Sequence, residues 1–270
     1  MIIFADNNWC ALIVSYKLHE SNITVLYFLN KDFWSNSFEV IALITILAAI
    51  VFLRYFAIAW LYKIILSVSS RSNRNDFGSK KTQIMKEIRW SFLSSLMFAL
   101  LSALGLWAYQ RGLTVIYDDV SAYPTWYLFS SPVLFLLLYE TYYYWLHRWM
   151  HRPSIFKFVH KVHHESHRPT VFTSFSFHPL EAFLQFLFFP LVVFVIPFHY
   201  MVLLTVLMIL TLSAVINHSG VEIFRKKFLT RHLIGSTHHD LHHTEFQTNF
   251  GLYLTWWDRL MKTGSKKNDH

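Results

Sequence analysis

Long apolar stretches alternate with short polar segments along this chain. Three of the stretches are long enough to cross a bilayer as a helix, which takes about 20 residues. They cover roughly residues 38–62, 90–109 and 126–146, with Arg54 inside the first and Glu140 near the end of the third. We predict a membrane-spanning helix at each of these positions.

A fourth apolar block, over roughly residues 180–216, is too long for one span and suits two, with a turn at the Pro-Phe-His sequence of residues 197–199. Residues 1–36 contain a shorter apolar run that Lys17, His19 and Glu20 interrupt, which predicts a peripheral segment and argues against a cleaved signal peptide. The predicted fold class is all-α, an integral membrane helical bundle with about four to five transmembrane passages.

Basic residues orient the predicted spans. Seven Lys and Arg residues lie between the first two spans, whereas Arg111 is alone between the second and third. Because short cytoplasmic loops are enriched in Lys and Arg, residues 63–89 are predicted to be cytoplasmic and residues 111–125 to face the other side. Alternating onward from there places the segments after His147 and after Asn217 in the cytoplasm.

Composition supports a membrane protein and excludes other classes. Of the 270 residues, 54% are hydrophobic and 15% are charged, whereas a soluble domain has about 25% charged residues. Lys and Arg beside the membrane bind anionic lipid headgroups, so the net charge of +8 requires no nucleic-acid partner. Cys10 is the only cysteine, which excludes an intrachain disulfide.

Histidine is the unusual residue of this chain, with sixteen copies. Three short motifs on the predicted cytoplasmic face contain nine of them, and eight of these nine have the spacing of metal ligands. Spacings of three and four residues place imidazoles on one side of a helix, and neutral imidazole is a common ligand of first-row metals. The motifs are HRWMH with His147 and His151, HKVHH with His160, His163 and His164, and HHDLHH with His239, His242 and His243.

Eight imidazoles exceed the capacity of one metal ion, so the motifs predict two ions close together. Hydrolytic two-metal sites often include bridging carboxylates, but only Glu165 and Asp240 are acidic near these motifs. An imidazole-rich pair at a membrane surface suits dioxygen chemistry, which requires redox-active iron. Nitrogen ligands alone do not distinguish iron from zinc, so the choice of iron rests on the chemistry.

The other candidate residues follow from the predicted topology. His218 is expected to be a further ligand at the cytoplasmic membrane edge. His178 and His238 are expected either to bind metal or to support a ligand, and Glu140 and Asp258 to accept a hydrogen bond from a ligating ring. The alternatives are that Glu140 packs with Arg148 or a tyrosine hydroxyl, and that Asp258 pairs with Arg259 or Lys262. The remaining histidines are predicted to lie away from the site: His167 and His232 on the surface, His199 at the opposite membrane face, and His19 and His270 in solvent.

Beyond the histidines, the sequence resembles the fatty acid hydroxylase/sterol desaturase superfamily, and is closest in motif to bacterial-type sterol desaturase-like proteins. The resemblance covers about residues 139–264. Two features depart from it: relatives usually carry Asp where this chain has Glu140, and NHSGVE is more similar to C-4 methylsterol oxidases. The matching segments are YYYWLHRWMH, HKVHHESHRPTVFTSFSFHPLEAFLQ, NHSG and THHDLHHTEFQTNFGLYLTWWDRLMKTG.

The resemblance implies a membrane-bound, non-haem di-iron oxygenase that hydroxylates or desaturates a lipid of sterol or fatty acyl type with dioxygen. It implies iron ligands at His147, His151, His160, His163, His164, His218, His239, His242 and His243. It also divides the chain into a peripheral segment (1–36), two helices with a basic loop (37–125), a catalytic domain (126–264) and a tail (265–270).

Electrons for such a reaction have to come from a separate protein. The seven glycines form no dinucleotide fingerprint, and we expect no bound haem, flavin or nicotinamide. We therefore expect a cytochrome b5-like donor, or a ferredoxin with its reductase. The alternatives are a histidine-rich metal transporter or a non-catalytic scaffold, and a transporter would carry ionisable residues at mid-membrane depth in several spans.

Overall fold

The computed structural model describes residues 31–68, 81–224 and 226–266. The predictions for His19, His270 and the peripheral segment up to residue 30 lie outside these residues, as do several basic residues of the loop between the first two predicted spans. Residues Met1–Leu43 and Ile44–His270 form two separate compact units. Helices make up the regular structure of the described residues, with isolated β-bridges and no strand, which confirms the all-α prediction.

Three helices of the described residues are long and apolar enough to cross a membrane: α1 (Ser37–Val68), α2 (Lys81–Gln110) and the helix at Tyr200–Asn217. On α1, the exposed side chains include Ile46, Ile50 and Leu53. An apolar stripe of this kind on a long helix is stable when it faces lipid. The first two predicted spans are therefore found where the sequence places them.

The predicted number of passages is not confirmed. The third predicted span is a 26-residue helix, α3 (Thr125–Met150), which is not among the three helices that are long and apolar enough to cross a membrane. The first half of the fourth apolar block breaks into short helices, because Pro190 cannot donate a backbone hydrogen bond and its ring disfavours helix in the preceding turn.

The predicted cytoplasmic cap consists of short helices in two parts of the chain: α4 (Pro153–Val159), α5 (Lys161–His164) and a 3-10 helix (Val171–Phe175), then α9 (Lys227–His232), α10 (Ser236–Glu245) and α11 (Trp256–Leu260). Between the two parts lie α6 (Pro179–Phe186), α7 (Phe188–Val193) and the membrane helix α8 (Tyr200–Asn217). The predicted turn before α8 is present, since the His199 side chain accepts a hydrogen bond from the Met201 N–H and caps that helix.

Aromatic packing joins these helices into one core. Phe135 of α3 contacts Phe188 of α7 with ring centroids 5.3 Å apart, and Val206 of α8 is buried in the same cluster. A second cluster joins α1 to the 3-10 helix, where Tyr55 stacks on Phe175 at 4.8 Å and donates a hydrogen bond to the Phe172 carbonyl. Buried aromatic contacts of this kind fix the positions of the elements that carry the histidines.

Glu87 of α2 is a buried carboxylate that connects the membrane helix to the cap. It accepts hydrogen bonds from the hydroxyls of Ser166 (2.8 Å), Thr170 (2.6 Å) and Thr173 (3.0 Å). Because all three hydroxyls lie in the segment between α5 and α6, this carboxylate fixes the segment that follows the second histidine motif.

We expect Glu87→Ala to destabilise the protein by about 3 kcal/mol or more, because it leaves buried hydroxyls without an acceptor. Thermal unfolding in detergent measures the effect. Met85→Ala is the matched control on the same helix, since Met85 is exposed. Equal unfolding temperatures for the two variants would contradict this role of Glu87.

Candidate metal centre

The nine histidines that the sequence predicts as metal ligands lie in four parts of the fold. His147 lies in the last turn of α3 and His151 is its C-cap. Pro153 then starts α4 at once, since proline is favoured in a first helical turn. The remaining seven are His160 between α4 and α5, His163 and His164 in α5, His218 at the C-cap of α8, and His239, His242 and His243 in α10.

The structure brings all nine together in two groups. Within each group, one ring nitrogen per histidine lies within 4.8 Å of the others, and every member is buried. The first group has five members and the second has four. They are His147, His151, His160, His164 and His242 in the group of five, and His163, His218, His239 and His243 in the group of four.

Hydrogen bonds fix which ring nitrogen is protonated in several of these histidines. A backbone carbonyl only accepts, so an Nδ1 atom that faces one carries the proton and leaves Nε2 with a free lone pair. The Nδ1 atom of His147 donates to the Phe250 carbonyl (2.8 Å). In the same way, Nδ1 of His242 donates to the Thr248 carbonyl (2.7 Å) and Nδ1 of His218 to the Ala214 carbonyl (2.7 Å).

The unprotonated nitrogens face one another. Nε2 of His147 lies 3.0 Å from Nε2 of His160, whose Nδ1 is held by Glu181 at 2.7 Å. Two lone pairs at this distance repel unless a cation lies between them. Metal–nitrogen bonds of about 2.0–2.1 Å at a right angle place two ligand atoms about 3.0 Å apart, so the donor set fits a metal ion.

The other short Nε2–Nε2 distances agree with this interpretation. Further pairs join His160 to His164 (3.1 Å) and His164 to His242 (3.1 Å) in the group of five, and His218 to His163 (3.2 Å) and to His239 (2.9 Å) in the group of four. In addition, Nε2 of His151 is buried and has no hydrogen-bond partner among the described residues. A metal ion in each group would satisfy these atoms.

Burial keeps these imidazoles neutral. It lowers the pKa of His160, His163 and His164 well below the usual value near 6.5, and the neighbouring imidazoles lower it further. The pKa values of His239 and His242 are lowered in the same way. Only the neutral ring binds a metal. These histidines are therefore in their metal-binding form at physiological pH.

Glu140 supports the site through the backbone. Its two carboxylate oxygens accept hydrogen bonds from the N–H groups of Leu252 and Tyr253, both at 3.0 Å. It therefore holds the loop whose Phe250 carbonyl orients His147. Among the described residues, no hydrogen bond joins Glu140 to a ligating ring and no ion pair joins it to Arg148, the two contacts that the sequence left open.

Asp258 holds the same loop from the other side. It accepts hydrogen bonds from the N–H groups of Phe250 (2.8 Å) and Gly251 (2.9 Å), and His238 lies 3.3 Å away. Burial by itself raises the pKa of Asp258, but the hydrogen bonds and the charge of His238 outweigh it, so the pKa lies below its usual value. The structure places His238 beside this carboxylate and outside both ligand groups.

Glu181 is a residue of the site that sequence reasoning missed. It is fully buried and accepts hydrogen bonds from Nδ1 of His160 and, at 3.1 Å, from Gln185. Burial raises the pKa of this carboxyl group well above its ordinary value, and the hydrogen bond from Gln185 opposes that shift. The available signal was an acidic residue in an otherwise apolar segment, directly after the His178–Pro179 pair.

The other histidines in the described part of the chain lie outside the two groups. His178 is the N-cap of α6, where its Nδ1 accepts from the Leu180 N–H at 3.2 Å. His199 caps α8 at the end of that helix away from His218 and faces the Asp118 carbonyl. His167 and His232 are exposed, as the sequence predicts.

An apolar cavity ends at the group of four. It encloses about 870 Å³, its open mouth included, and His163, His218 and His239 form part of its wall. Aromatic and aliphatic side chains from α2, α3, α6, α7, α8 and the 3-10 helix form most of the rest, among them Phe98, Tyr139, Tyr143, Phe175, Phe186, Phe189 and Leu210. Ligand cavities in proteins are typically apolar with a few polar groups at defined points.

Together, the fold and the site define an integral membrane protein with a paired, imidazole-lined candidate metal centre. The Fatty acid hydroxylase family profile matches residues 132–263. No solved structure matches the chain.

Curated relatives with similar sequences are sterol-modifying proteins by name. The chain is 35% identical over 184 residues to the lathosterol oxidase of Rattus norvegicus, covering 67% of this chain and 60% of the relative. It is 32% identical over 190 residues to the lathosterol oxidase of Homo sapiens, covering 70% and 62%. It is 31% identical over 229 residues to a Delta(7)-sterol 5(6)-desaturase of Aspergillus fumigatus, covering 81% and 64%.

This chain belongs to the fatty acid hydroxylase/sterol desaturase superfamily. The family is iron-dependent. The chain spans about three fifths of the length of the curated relatives that it matches.

We expect the purified protein to contain two metal ions per chain, since each histidine group provides four or more nitrogen ligands. His163→Ala removes one ligand from the group of four and should reduce the metal content to about one ion per chain. Elemental analysis measures this. His199→Ala is the control and should keep both ions, and equal losses in the two variants would contradict the assignment.

We expect Glu181→Gln to weaken metal binding about 10–100-fold, because the amide orients His160 less well than the carboxylate does. Competition with a chelator measures the affinity of the group of five. Glu165→Gln is the matched control, since Glu165 pairs with Lys86 at the surface. The same affinity in both variants would show that Glu181 does not support the site.

Proposed function

We propose that this protein is a membrane-bound di-iron oxidoreductase that oxidises an unactivated C–H position of a lipid with dioxygen. The observation that carries the proposal is the apolar cavity that ends on His163, His218 and His239. A hydrocarbon bound there would lie against the group of four, whereas the group of five would be the more enclosed of the two.

We assign one iron ion to each group, with the nine histidines as ligands. Bound iron would supply dioxygen activation, which no side chain provides by itself. Glu140, Asp258 and Glu181 hold the loops and rings that present the ligating nitrogens. Their hydrogen bonds keep those rings in one orientation when a substrate enters.

The chain's own contribution to the reaction is a dry, shaped binding site. Tyr139 and Tyr143 are buried, and both line the cavity beside the histidines. The Tyr143 ring lies 5.1 Å from the His147 ring, so it separates the cavity from the group of five. Such walls exclude water from the reacting carbon and hold it at one position.

The electron donor is a separate protein in this proposal, either cytochrome b5-like or a ferredoxin with its reductase. Arg152 and Lys161 directly follow histidines of the group of five and are exposed. Lys157, Arg168, Lys226, Lys227 and Arg231 are also exposed. Positive charge around the site favours docking of an acidic carrier. The positive-inside rule supports a cytoplasmic location for this surface.

The names of the relatives favour desaturation of a sterol-type lipid over other outcomes, and hydroxylation is the second candidate because both reactions suit the same ligand set. A metal transporter is not favoured. The histidines form two closed groups and not a path across the membrane, and among the described residues the spans carry few ionisable side chains.

Lipid profiling tests the proposed function. We expect the full chain, expressed with a reductase system, to produce lipids lighter by two hydrogen atoms (desaturation) or heavier by one oxygen atom (hydroxylation). His163→Ala should abolish the product and His199→Ala should retain it. A wild-type protein that binds iron but forms no oxidised lipid with a competent reductase would refute the proposal.

A further inference from the structure

Arg54 is a charged residue in an apolar position that the proposed chemistry leaves unexplained. It lies near the middle of the 32-residue helix α1, fourteen residues before Val68. It lies eight residues before the end of the predicted span near residue 62, about 12 Å along the helix at about 1.5 Å per residue. A charged side chain inside a membrane span is costly and often has a function.

The Arg54 side chain lines the apolar cavity. Its Nε atom is buried and has no hydrogen-bond partner in the described part of the chain. The ion pairs of those residues do not include it. The residue as a whole is half-buried, and a cation in an apolar wall is costly unless it binds an acceptor.

The cavity itself offers no counter-charge. Among the residues that line it, Arg54 is the only permanently charged side chain, and none is Asp or Glu. Among the described residues, no hydrogen bond or ion pair joins Arg54 to a side chain of the wall, and the buried Oδ1 atom of Asn217 in the same wall is also unpaired. An anionic group on a bound ligand would supply the counter-charge that the wall lacks.

We propose that Arg54 binds an anionic oxygen group of the lipid substrate, such as a carboxylate or a sulfate. This rests on the proposed function, because it takes the cavity as the substrate site. A guanidinium presents several N–H donors that match the oxygens of such an anion. The same cavity then holds the anionic group at Arg54 and exposes hydrocarbon to the group of four.

Lipid binding to the full chain in phosphatidylcholine nanodiscs tests the proposal without turnover. Two radiolabelled pairs serve as probes: cholesterol sulfate with cholesterol, and oleate with oleyl alcohol at alkaline pH. Each pair shares its hydrocarbon and differs in the charge of its polar group. The two pairs also distinguish a sterol-type ligand from an acyl-type one.

We expect the wild-type protein to bind at least one anion at least about ten-fold more tightly than its neutral partner, as a charge-assisted contact allows. Arg54→Met should abolish this preference and leave the affinity for the neutral lipid within about three-fold. Arg54→Lys should retain part of it. Lys63→Met removes a cation of the same helix that does not line the cavity, and it should bind like wild type.

Equal binding of the anionic and neutral lipid in both pairs would overturn the proposal, as would a preference that Arg54→Met leaves intact. Metal content and retention on size-exclusion chromatography report whether Arg54→Met is folded. If that variant is lost, Arg54→Gln with the same probes decides the question. Because binding is measured without oxidation, a failed proposal here leaves the proposed reaction open, and an inactive enzyme leaves this binding result valid.

Discussion

The rest of this structure depends on the repulsion between neutral imidazoles. In a site without water, their nitrogen lone pairs point at one another. His147 and His160 illustrate it, because both Nδ1 atoms are held by acceptors and both Nε2 atoms face each other at 3.0 Å. In water such rings would separate or protonate. Here helix packing keeps them together, so that cations are the natural partners of the cluster.

Three buried carboxylates maintain this arrangement without being members of either ligand group. Glu140 and Asp258 hold the two ends of one loop, and that loop supplies the carbonyl that orients His147. Glu181 acts on His160 directly. These carboxyl groups lie one layer behind the rings, where they fix the orientation of the ligating nitrogens.

The membrane determines where this site can lie. Its group of four lies at the C-terminal end of α8, and the cavity extends from there to Leu207, about 16 Å along that helix at about 1.5 Å per residue. A lipid can therefore pass from an apolar environment to the histidines without crossing water. In this proposal the polar side of the cap receives electrons while the apolar side receives the substrate.

Much of this organisation could be predicted from the sequence. Spacings of three and four residues predicted eight histidines as metal ligands, and the predicted topology indicated His218 as a ninth. The structure brings all nine together. The sequence did not indicate how the motifs are shared between groups: His160 and His164 lie in one group and His163 in the other, because adjacent residues leave a short helix in different directions.

Two other features depend on tertiary contacts that the hydrophobic pattern does not contain. Glu181 resembles an ordinary acidic residue in the first turn of α6 until its contact with His160 is seen. The first half of the fourth apolar block was expected to be one passage, but it is divided into two short helices near Pro190. In both cases the apolar residues around a single Glu or Pro predicted a regular membrane helix, and the effect of that one residue became clear only from the structure.

Anomalous X-ray diffraction at the iron absorption edge tests the central claim most directly, because it identifies the element and locates it. Crystals of the purified protein should give two iron peaks, one among the nitrogens of His147, His160 and His242 and one among those of His163, His218 and His239. A single peak, a signal at the zinc edge alone, or metal outside the two groups would contradict the account.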